Sequence, residues 1–340
     1  MKAWNTLVAF TALLFMSGSV WAASSFSTLY AFGDSLSDAG SSDSAVMSLY
    51  KILGNNCDPT HLCPPYFDGR ISNGPVASEQ LAAALFGGQV TSTNFRSYAV
   101  AGANTGDSNS GFDIGGLIKL PGMKQEVDNY LTDSKGAADP NALYFLWGGA
   151  NDYFTGDPAG AAAQNIAGYI SALAGAGAKH FLVPNLSDLS LTPDQDHAPE
   201  AHTYTIDFNS ALAAQLGNLH AQLPGTDIAS FDSYSFFNGV VQDPAKFGFT
   251  NVESPCVSFP DLFPCGNPDG HVFWDTVHPT TRADALIASA FASAVPEPEM
   301  ISMFIAGLIV LGFAGGTGRM WRKRRYAQVG VGSPHGMSLS

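Results

Sequence analysis

The order of apolar and polar positions along residues 28–292 alternates between two periods. Runs of five or six residues rich in β-branched and aromatic side chains are separated by longer segments in which apolar residues recur every three or four positions. The runs predict strands at TLYAF (28–32), SYAVA (97–101), ALYFLW (142–147), HFLVP (180–184) and IASFD (228–232). Strands that alternate with helices favour parallel pairing, with helices covering both faces of the sheet.

The segments between the runs predict the helices. These cover 76–86, 123–132, 158–176, 202–223 and about 280–291. In open parallel sheets, the functional residues lie beyond the carboxyl ends of the strands. We therefore expect an α/β domain whose chemistry lies in the loops that follow the strands.

The first 22 residues have the pattern of a secretory signal peptide. A lysine precedes an apolar run from Leu7 to Met16, and Val20 and Ala22 occupy the small-residue positions of a cleavage site. The run is too short to span a bilayer, which disfavours an N-terminal membrane anchor. We expect export, with a mature chain that begins near Ala23.

Residues 295–325 combine Pro296-Glu297-Pro298, an apolar run at about 300–318 and a basic cluster, and the tail 326–340 follows. As a helix the run would be about 28 Å long, which suits a bilayer, and the basic cluster favours a cytoplasmic tail. This end resembles the PEP-CTERM sorting signal of Gram-negative bacteria. The resemblance implies transient anchoring, processing by an exosortase and delivery to the cell surface, the exopolysaccharide matrix or the medium. An unprocessed anchor is the alternative.

The part of the chain between these signals is strongly acidic. From residue 23 to residue 298 it carries nine Lys or Arg against 28 Asp or Glu, a net charge of about −19. Nucleic acids and anionic lipid surfaces are disfavoured as partners of so acidic a body. The length of residues 23–294 suits a single domain with a large core.

The four cysteines form two close pairs along the sequence, Cys57 with Cys63 and Cys256 with Cys265. Local disulfides are expected in an exported chain, although three connectivities are possible. Zinc is the competing interpretation, but neither pair has CxxC spacing and no His lies beside Cys256. The acidic segment TPDQDHAPEAHTY (192–204) fits no strong ligand motif either. We predict neither a metal nor a cofactor.

The triplet Gly-Asp-Ser occurs at 33–35 and again at 106–108. Ser35 directly follows a predicted strand, where its hydroxyl would lie at the carboxyl edge of the sheet. Ser108 lies in a polar loop. No GxSxG surrounds any serine, so the nucleophile elbow of ordinary α/β-hydrolases is absent. Ser35 is the better candidate nucleophile.

A serine nucleophile needs a base, and the base needs an orienting partner. The segment DTVHP supplies Asp275 and His278, three residues apart and just before the last predicted helix. His271 is a rival base, but it lacks a carboxylate at that spacing. Asp275 and His278 therefore complete a candidate triad with Ser35.

Four ordered blocks carry a family resemblance. FGDSLSDAG (32–40) resembles the first block of the GDSL esterases and lipases, within the SGNH hydrolase superfamily. SYAVAGANT, WGGANDYF and DTVHP resemble the second, third and fifth blocks. The resemblance spans about 27–292. It implies a three-layer α/β/α, flavodoxin-like fold whose parallel sheet has the strand order 2-1-3-4-5.

The resemblance also implies roles for residues at the matching positions. Ser35 would be the nucleophile, His278 the general base and Asp275 the residue that orients it. The oxyanion hole would consist of the backbone N–H groups of Ser35 and Gly102 and the side-chain amide of Asn151. Taken singly, Ser35 has the sequence context of a helix cap and Asn151 that of a turn residue. Their joint occurrence in family order favours catalysis.

These patterns predict an exported serine esterase or lipase that acts on carboxylic esters through an acyl-enzyme. A carbohydrate acetylesterase and a non-catalytic surface or matrix protein on the same fold are the alternatives. Asp34 and Asp152 are expected to be structural. The aromatic segments SYSFFNG (233–239) and FGFTNVES (247–254) are interpreted as packing, with an acyl pocket as the alternative.

Overall fold

The structure, a computed structural model, describes residues 26–40, 57, 61–111, 119–195, 197–258 and 262–295. The predicted signal peptide lies outside these residues, and so does the predicted sorting signal apart from Val295. None of the helices in the described part has the length and hydropathy that a bilayer-spanning segment needs.

Five parallel strands form one sheet. They are β1 (Leu29–Gly33), β2 (Phe95–Ser97), β3 (Leu143–Trp147), β4 (His180–Pro184) and β5 (Asp227–Phe231). Their order in the sheet is β2-β1-β3-β4-β5. The structure thus confirms the parallel α/β sheet and the strand order that the family resemblance implied.

Helices follow the strands. In the described residues these are α1 (Ala77–Leu85), α2 (Met123–Asp133), α3 (Ala150–Thr155), α4 (Ala159–Ala176), α5 (Pro199–Gln222), α6 (Ser233–Gln242) and α7 (Thr281–Ala294). Short 3₁₀ turns lie at Leu189–Leu191, Pro244–Phe247 and Pro268–Gly270. The short helix α3 and the aromatic helix α6 are the two that the periodicity did not predict.

The alternation of side chains along β3 creates three layers. Tyr144 and Leu146 pack into a core with α2, α4 and α5 on one face. Leu143 and Phe145 pack into a second core with α1 and α7 on the other face. Every side chain of β3 is buried, and each large apolar one contributes about 1.5–3 kcal/mol by leaving water. This burial explains why the sequence of β3 is continuously apolar.

Strand β2 is shorter than predicted and begins earlier. The sequence predicts 97–101, whereas the ladder with β1 covers only Phe95–Ser97. The chain still follows β1 afterwards, since Val100 N donates to Gly33 O at 3.2 Å. Two carboxylates also accept here: Glu126 shares Val100 N with Gly33 O, and Asp38 accepts from Ala101 N. The ladder therefore stops where the candidate site begins.

Candidate active site

Ser35 lies two residues beyond the end of β1, in a tight turn. Asp34 makes the turn, because its carboxylate accepts from Leu36 N at 3.1 Å and its carbonyl accepts from Ser37 N at 2.9 Å. Gly33 precedes it with φ +149°, and a Cβ there would overlap the carbonyl oxygen of Trp147 on β3. The turn therefore needs glycine at this close approach, and it places Ser35 at the carboxyl edge of the sheet.

His278 comes from a closed loop immediately before α7. Trp274 N donates to His278 O at 2.7 Å, and Thr280 N donates to Val272 O at 2.8 Å. Thr280 also caps α7, because its hydroxyl accepts from Ala283 N at 3.2 Å. The loop is thus held at both ends, which restricts the position of the imidazole.

The structure brings Ser35, His278 and Asp275 into one chain of hydrogen bonds. His278 Nε2 lies 2.8 Å from Ser35 Oγ. His278 Nδ1 lies 2.9 Å from each carboxylate oxygen of Asp275. If Nδ1 carries the proton that Asp275 accepts, Nε2 is left as the acceptor for the serine hydroxyl proton. The arrangement can therefore draw a proton away from Ser35.

Asp275 is held as an anion by several donors. Its Oδ1 accepts from His278 N at 2.8 Å and from Val277 N at 2.9 Å, and its Oδ2 accepts from Tyr66 OH at 2.9 Å. Burial alone would raise the pKa of this carboxyl, but the charge of His278 and these hydrogen bonds hold the pKa of Asp275 well below its ordinary value. Asp275 therefore stays ionised when an imidazolium forms beside it.

Gly102 lies in the loop that follows β2, and Asn151 lies in the first turn of α3. Asn151 Nδ2 donates to Ala103 O at 3.1 Å, and Ser110 Oγ, which donates to Gly102 O at 3.0 Å, also lies 3.1 Å from Asn151 Oδ1. The amide of Asn151 is thus turned with its nitrogen toward the loop. An amide nitrogen carries two hydrogens, so one remains for another acceptor.

The backbone at Gly102 has a conformation that suits glycine. Its φ is +80°, and a Cβ would lie 2.6 Å from Asn109 Oδ1 and 2.7 Å from Gly111 N. Neither Gly102 N nor Ser35 N donates to an acceptor within the described part of the chain. Two backbone donors at the sheet edge are therefore available to a negatively charged oxygen.

A cleft of about 230 Å³ opens beside the His278 loop. His61 and Tyr66 form part of its wall, with Asp275, Val277 and His278. The ring of His61 lies 6.0 Å from that of His278 and 4.9 Å from that of Tyr66. No sequence pattern predicts a role for His61 or Tyr66, because their distance along the chain from the triad carries no spacing signal.

An apolar cavity of about 60 Å³ lies on the β5 side of the site. Leu36, next to Ser35, and Val277, next to His278, both line it. The rest of its wall is mainly aromatic and aliphatic, including Trp147, Phe231, Phe236, Phe237, Val240, Phe249, Phe273 and Ile287. The segments 233–239 and 247–254 therefore contribute to a cavity as well as to packing.

Both close cysteine pairs form disulfides in the structure, Cys57–Cys63 and Cys256–Cys265. The loops that they close carry residues of the 230 Å³ cleft. His61 lies within the first loop and Leu262 within the second. The disulfides thus brace two walls of that cleft.

The rival residues lie elsewhere. Ser108 is exposed in the loop after β2, and its carbonyl accepts from Asn104 N at 3.1 Å. His271 Nδ1 lies 3.0 Å from Asn267 O and 3.5 Å from Cys265 Sγ. Neither residue is hydrogen-bonded to the triad in the described part of the structure.

Potential metal ligands meet at one place among the described residues, where Cys256, Cys265 and His271 lie within 4.8 Å of one another. Both sulfurs belong to a disulfide, so neither offers a thiolate. In the acidic segment, His202 Nδ1 lies 2.7 Å from Asp188 Oδ2, and Asp196 is outside the described residues.

Two further carboxyl groups at the site are fully buried and are engaged by the backbone. Burial raises the pKa of Asp34 to about 6, although the hydrogen bond from Leu36 N opposes the shift. Asp152 accepts from Thr105 N at 2.9 Å and from Thr105 Oγ1 at 2.6 Å. The Asp34 carboxyl stabilises the turn that carries Ser35, and the Asp152 carboxyl connects α3 to the loop that follows β2.

The family model described as GDSL-like Lipase/Acylhydrolase matches residues 29–291. The phosphatidylcholine-sterol acyltransferase of Aeromonas hydrophila is 27% identical over 320 residues, covering 79% of this chain and 90% of that protein. A GDSL esterase/lipase of Arabidopsis thaliana is 27% identical over 316 residues, covering 77% and 87%. A member of the lipolytic protein G-D-S-L family from Veillonella parvula has 16% identity and a TM-score of 0.43, covering 77% and 94%. The family match runs from β1 into α7.

Proposed function

Because the chain belongs to the GDSL-like lipase/acylhydrolase family, whose members are carboxylic ester hydrolases, we propose that it is a serine esterase or lipase with Ser35 as its nucleophile. One observation carries this proposal: Ser35 Oγ lies 2.8 Å from His278 Nε2, and His278 Nδ1 lies 2.9 Å from Asp275. A serine hydroxyl is a poor nucleophile unless such a base takes its proton.

In the first half of the reaction, Ser35 Oγ attacks the ester carbonyl carbon while His278 Nε2 takes the hydroxyl proton. The negative charge of Asp275 stabilises the imidazolium that results. The tetrahedral intermediate collapses when His278 returns the proton to the departing alcohol oxygen, and Ser35 keeps the acyl group. General acid–base transfer of this kind contributes about 10²- to 10⁴-fold.

The carbonyl oxygen becomes negative in the tetrahedral intermediate and needs donors. We assign this task to Ser35 N, Gly102 N and the side-chain amide of Asn151. The two backbone groups have no acceptor among the described residues. Each such donor is worth about 3–4 kcal/mol of transition-state stabilisation.

In the second half, an acceptor molecule attacks the acyl-enzyme, and His278 again takes a proton. With water the products are a carboxylic acid and free Ser35. The Aeromonas relative is named as an acyltransferase, and an alcohol in place of water would give transfer by the same steps. We propose hydrolysis as the main reaction, because the cleft beside His278 is open to water.

The apolar cavity favours an acyl chain longer than acetyl. Leu36 and Val277, the chain neighbours of Ser35 and His278, line this cavity, and its wall is largely aromatic and aliphatic. Each buried methylene is worth about 0.8 kcal/mol, so the acyl part of the substrate gains affinity by entering it. A carbohydrate acetylesterase is the second candidate for the same triad, but an acetyl group has no chain to place there.

Export is a further part of the proposal. Residues 1–22 would direct the chain across the inner membrane, and residues 295–325 would act as a PEP-CTERM signal for exosortase-type machinery. The two disulfides support an oxidising compartment. Mass spectrometry of the protein from its native host tests this proposal: we expect an N-terminus near Ala23 and no residues after the Pro-Glu-Pro segment. A chain that retains both ends would overturn it.

A panel of p-nitrophenyl esters from acetyl to palmitoyl, together with an acetylated polysaccharide, tests the enzymatic proposal. We expect the purified wild-type chain to prefer chains longer than acetyl and Ser35→Ala to be inactive. Ser108→Ala is the matched control, since it changes the serine of the other Gly-Asp-Ser triplet, and its activity should equal that of the wild type.

The outcomes separate the candidates. Release of acetate from the polysaccharide as the dominant activity would establish the acetylesterase. A folded wild-type chain that cleaves no ester, while both variants bind matrix polysaccharide as it does, would establish a non-catalytic surface protein. Loss of activity in Ser108→Ala but not in Ser35→Ala would show that Ser108, and not Ser35, is the nucleophile.

A further inference from the structure

A buried carboxylate from α2 lies beneath the candidate oxyanion hole. Glu126 is 1% exposed, although glutamate is rarely buried without a cationic partner. Its Oε2 accepts from Gly33 N at 2.8 Å, and its Oε1 accepts from Val100 N at 3.2 Å. The side chain therefore bridges the end of β1 and the loop that follows β2.

The two amides that Glu126 holds have a specific position. Gly33 precedes Ser35 by two residues, and Val100 precedes Gly102 by two residues. Ser35 N and Gly102 N are the two backbone donors of the proposed oxyanion hole. In each segment, Glu126 therefore accepts from the amide that lies two residues before the proposed oxyanion donor.

A second buried carboxylate completes the connection. Asp38 is 2% exposed, and its Oδ2 accepts from Ala101 N at 2.9 Å while its Oδ1 accepts from Gly40 N at 2.8 Å. Val100 N and Ala101 N, the two amides just before Gly102, are therefore both anchored on carboxylates. The amide of Gly102 is the first one left for a substrate.

Burying the Glu126 carboxylate costs desolvation free energy. Burial raises the pKa of Glu126 well above its ordinary value, the hydrogen bonds from Gly33 and Val100 oppose the shift, and the charges of Asp34 and Asp38 add to it. An apolar side chain would fill the same space without desolvating a charge. This desolvation cost indicates that the carboxylate has a role as a hydrogen-bond acceptor that an apolar side chain could not fill.

We propose that Glu126 is a positioning residue for the oxyanion hole: by accepting from Gly33 N and Val100 N together, it sets the separation between Ser35 N and Gly102 N. The inference rests on the proposed esterase function. Donors act on a developing charge only when they are held in place before the reaction, so a change in their separation weakens the transition state more than the bound substrate.

Three substitutions of Glu126 in the full-length chain test this role. Glu126→Met keeps the length of the side chain but offers only a weak acceptor. Glu126→Asp keeps the carboxylate but is one methylene shorter, so it reaches at most one of the two amides. Glu126→Gln keeps the length but replaces one of the two acceptor oxygens with an NH2 group, which only donates, so it can accept from one of the two amides at most.

Two measurements read the oxyanion hole directly. The first is kcat and KM on one nitrophenyl ester. The second is the inhibition constant of an alkyl boronic acid, which forms a tetrahedral adduct on a serine hydroxyl. For Glu126→Met and Glu126→Asp we expect kcat to fall about 10- to 100-fold, KM to stay within about twofold and the boronic acid to bind more weakly in proportion to kcat. Glu126→Gln should show losses of the same kind, because only one of the two amides keeps its acceptor.

Asp188→Asn is the matched control, because Asp188 is also a buried carboxylate that accepts several hydrogen bonds, here from Ser190 and His202. It should lose stability to urea without changing kcat or the affinity for boronic acid. If Glu126→Met does not fold, the kcat and the boronic acid affinity of Glu126→Asp test the role instead.

The role is refuted if the folded Glu126 variants keep both kcat and boronic acid affinity within twofold of the wild type. It is also refuted if Asp188→Asn loses as much kcat and boronic acid affinity as the Glu126 variants do. An active Ser35→Ala chain, in contrast, would contradict the esterase function itself. The two failures are therefore distinguishable.

Discussion

Two aspartate–histidine pairs within the described residues combine a buried carboxylate with similar contacts and different surroundings; in a third, His180 with Asp227, the Asp227 side chain is 74% exposed. Asp275 and His278 are 2.9 Å apart, and Asp188 and His202 are 2.7 Å apart. In each pair, the histidine contacts the carboxylate through Nδ1. Judged by the pair alone, either histidine looks equally suited to act as a base.

The position of a serine separates the two pairs. Ser35 Oγ lies 2.8 Å from His278 Nε2, on the far side of the ring from Asp275. In the other pair, Ser190 Oγ donates to the carboxylate: it lies 2.7 Å from Asp188 Oδ1. The His202 side chain is also 48% exposed, whereas that of His278 is 15% exposed. A carboxylate–imidazole pair activates a serine only when the serine hydroxyl meets the second ring nitrogen.

The largest expected difference comes from removing each imidazole. His278→Ala should lower kcat by about 10⁴-fold or more, because Ser35 then has no base. His202→Ala should leave kcat within about twofold. Steady-state assays on one soluble ester measure both. Comparable losses of kcat in the two variants would show that the contact between Ser35 and His278 does not make His278 the catalytic base.

The next effect comes from neutralising each carboxylate. Asp275→Asn should lower kcat by about 10³- to 10⁴-fold, since a neutral amide neither stabilises the imidazolium nor holds the productive tautomer. Asp188→Asn should change stability and not kcat. The same assay, combined with urea unfolding of both variants, measures this. Full activity of Asp275→Asn would remove Asp275 from the mechanism.

The pH dependence of stability gives a third contrast. The folded-state pKa of Asp275 lies below its unfolded value, so its contribution is present above about pH 4 and is lost as the pH falls toward the folded pKa. The wild type should therefore exceed Asp275→Asn in free energy of unfolding by about 2 kcal/mol more at pH 5 than at pH 2.5. Urea titrations at both pH values measure the difference. An advantage that does not depend on pH would contradict the lowered pKa.

The smallest effect concerns the hydroxyl groups bonded to each carboxylate. Tyr66→Phe removes the donor to Asp275 Oδ2 and keeps the ring beside His61, so we expect kcat to fall about threefold to tenfold, or about 1 kcal/mol. Ser190→Ala removes the equivalent donor to Asp188 and should leave kcat unchanged. An unaltered kcat in Tyr66→Phe would show that the backbone donors of Asp275 suffice.

The sequence was most informative where the deciding contacts are local. Asp275 and His278 are three residues apart, so one loop brings them together, and Ser35 follows a strand whose apolar run is easily identified. The end of β2 and the helix α6 were missed for a different reason. The pairing of β2 is ended by carboxylates from other segments, and α6 has an aromatic composition that suits strands and helices alike.

The amino-acid sequence by itself determined the α/β class, the strands that carry the site, the candidate triad and the close cysteine pairs, because periodicity and short spacings act within a few residues. Only the tertiary structure placed Tyr66 on Asp275, Glu126 beneath Gly33 and Val100, and the aromatic side chains around the apolar cavity. These contacts join residues far apart in the chain. They depend on how loops close over the edge of the sheet, and no local pattern of side chains encodes that closure.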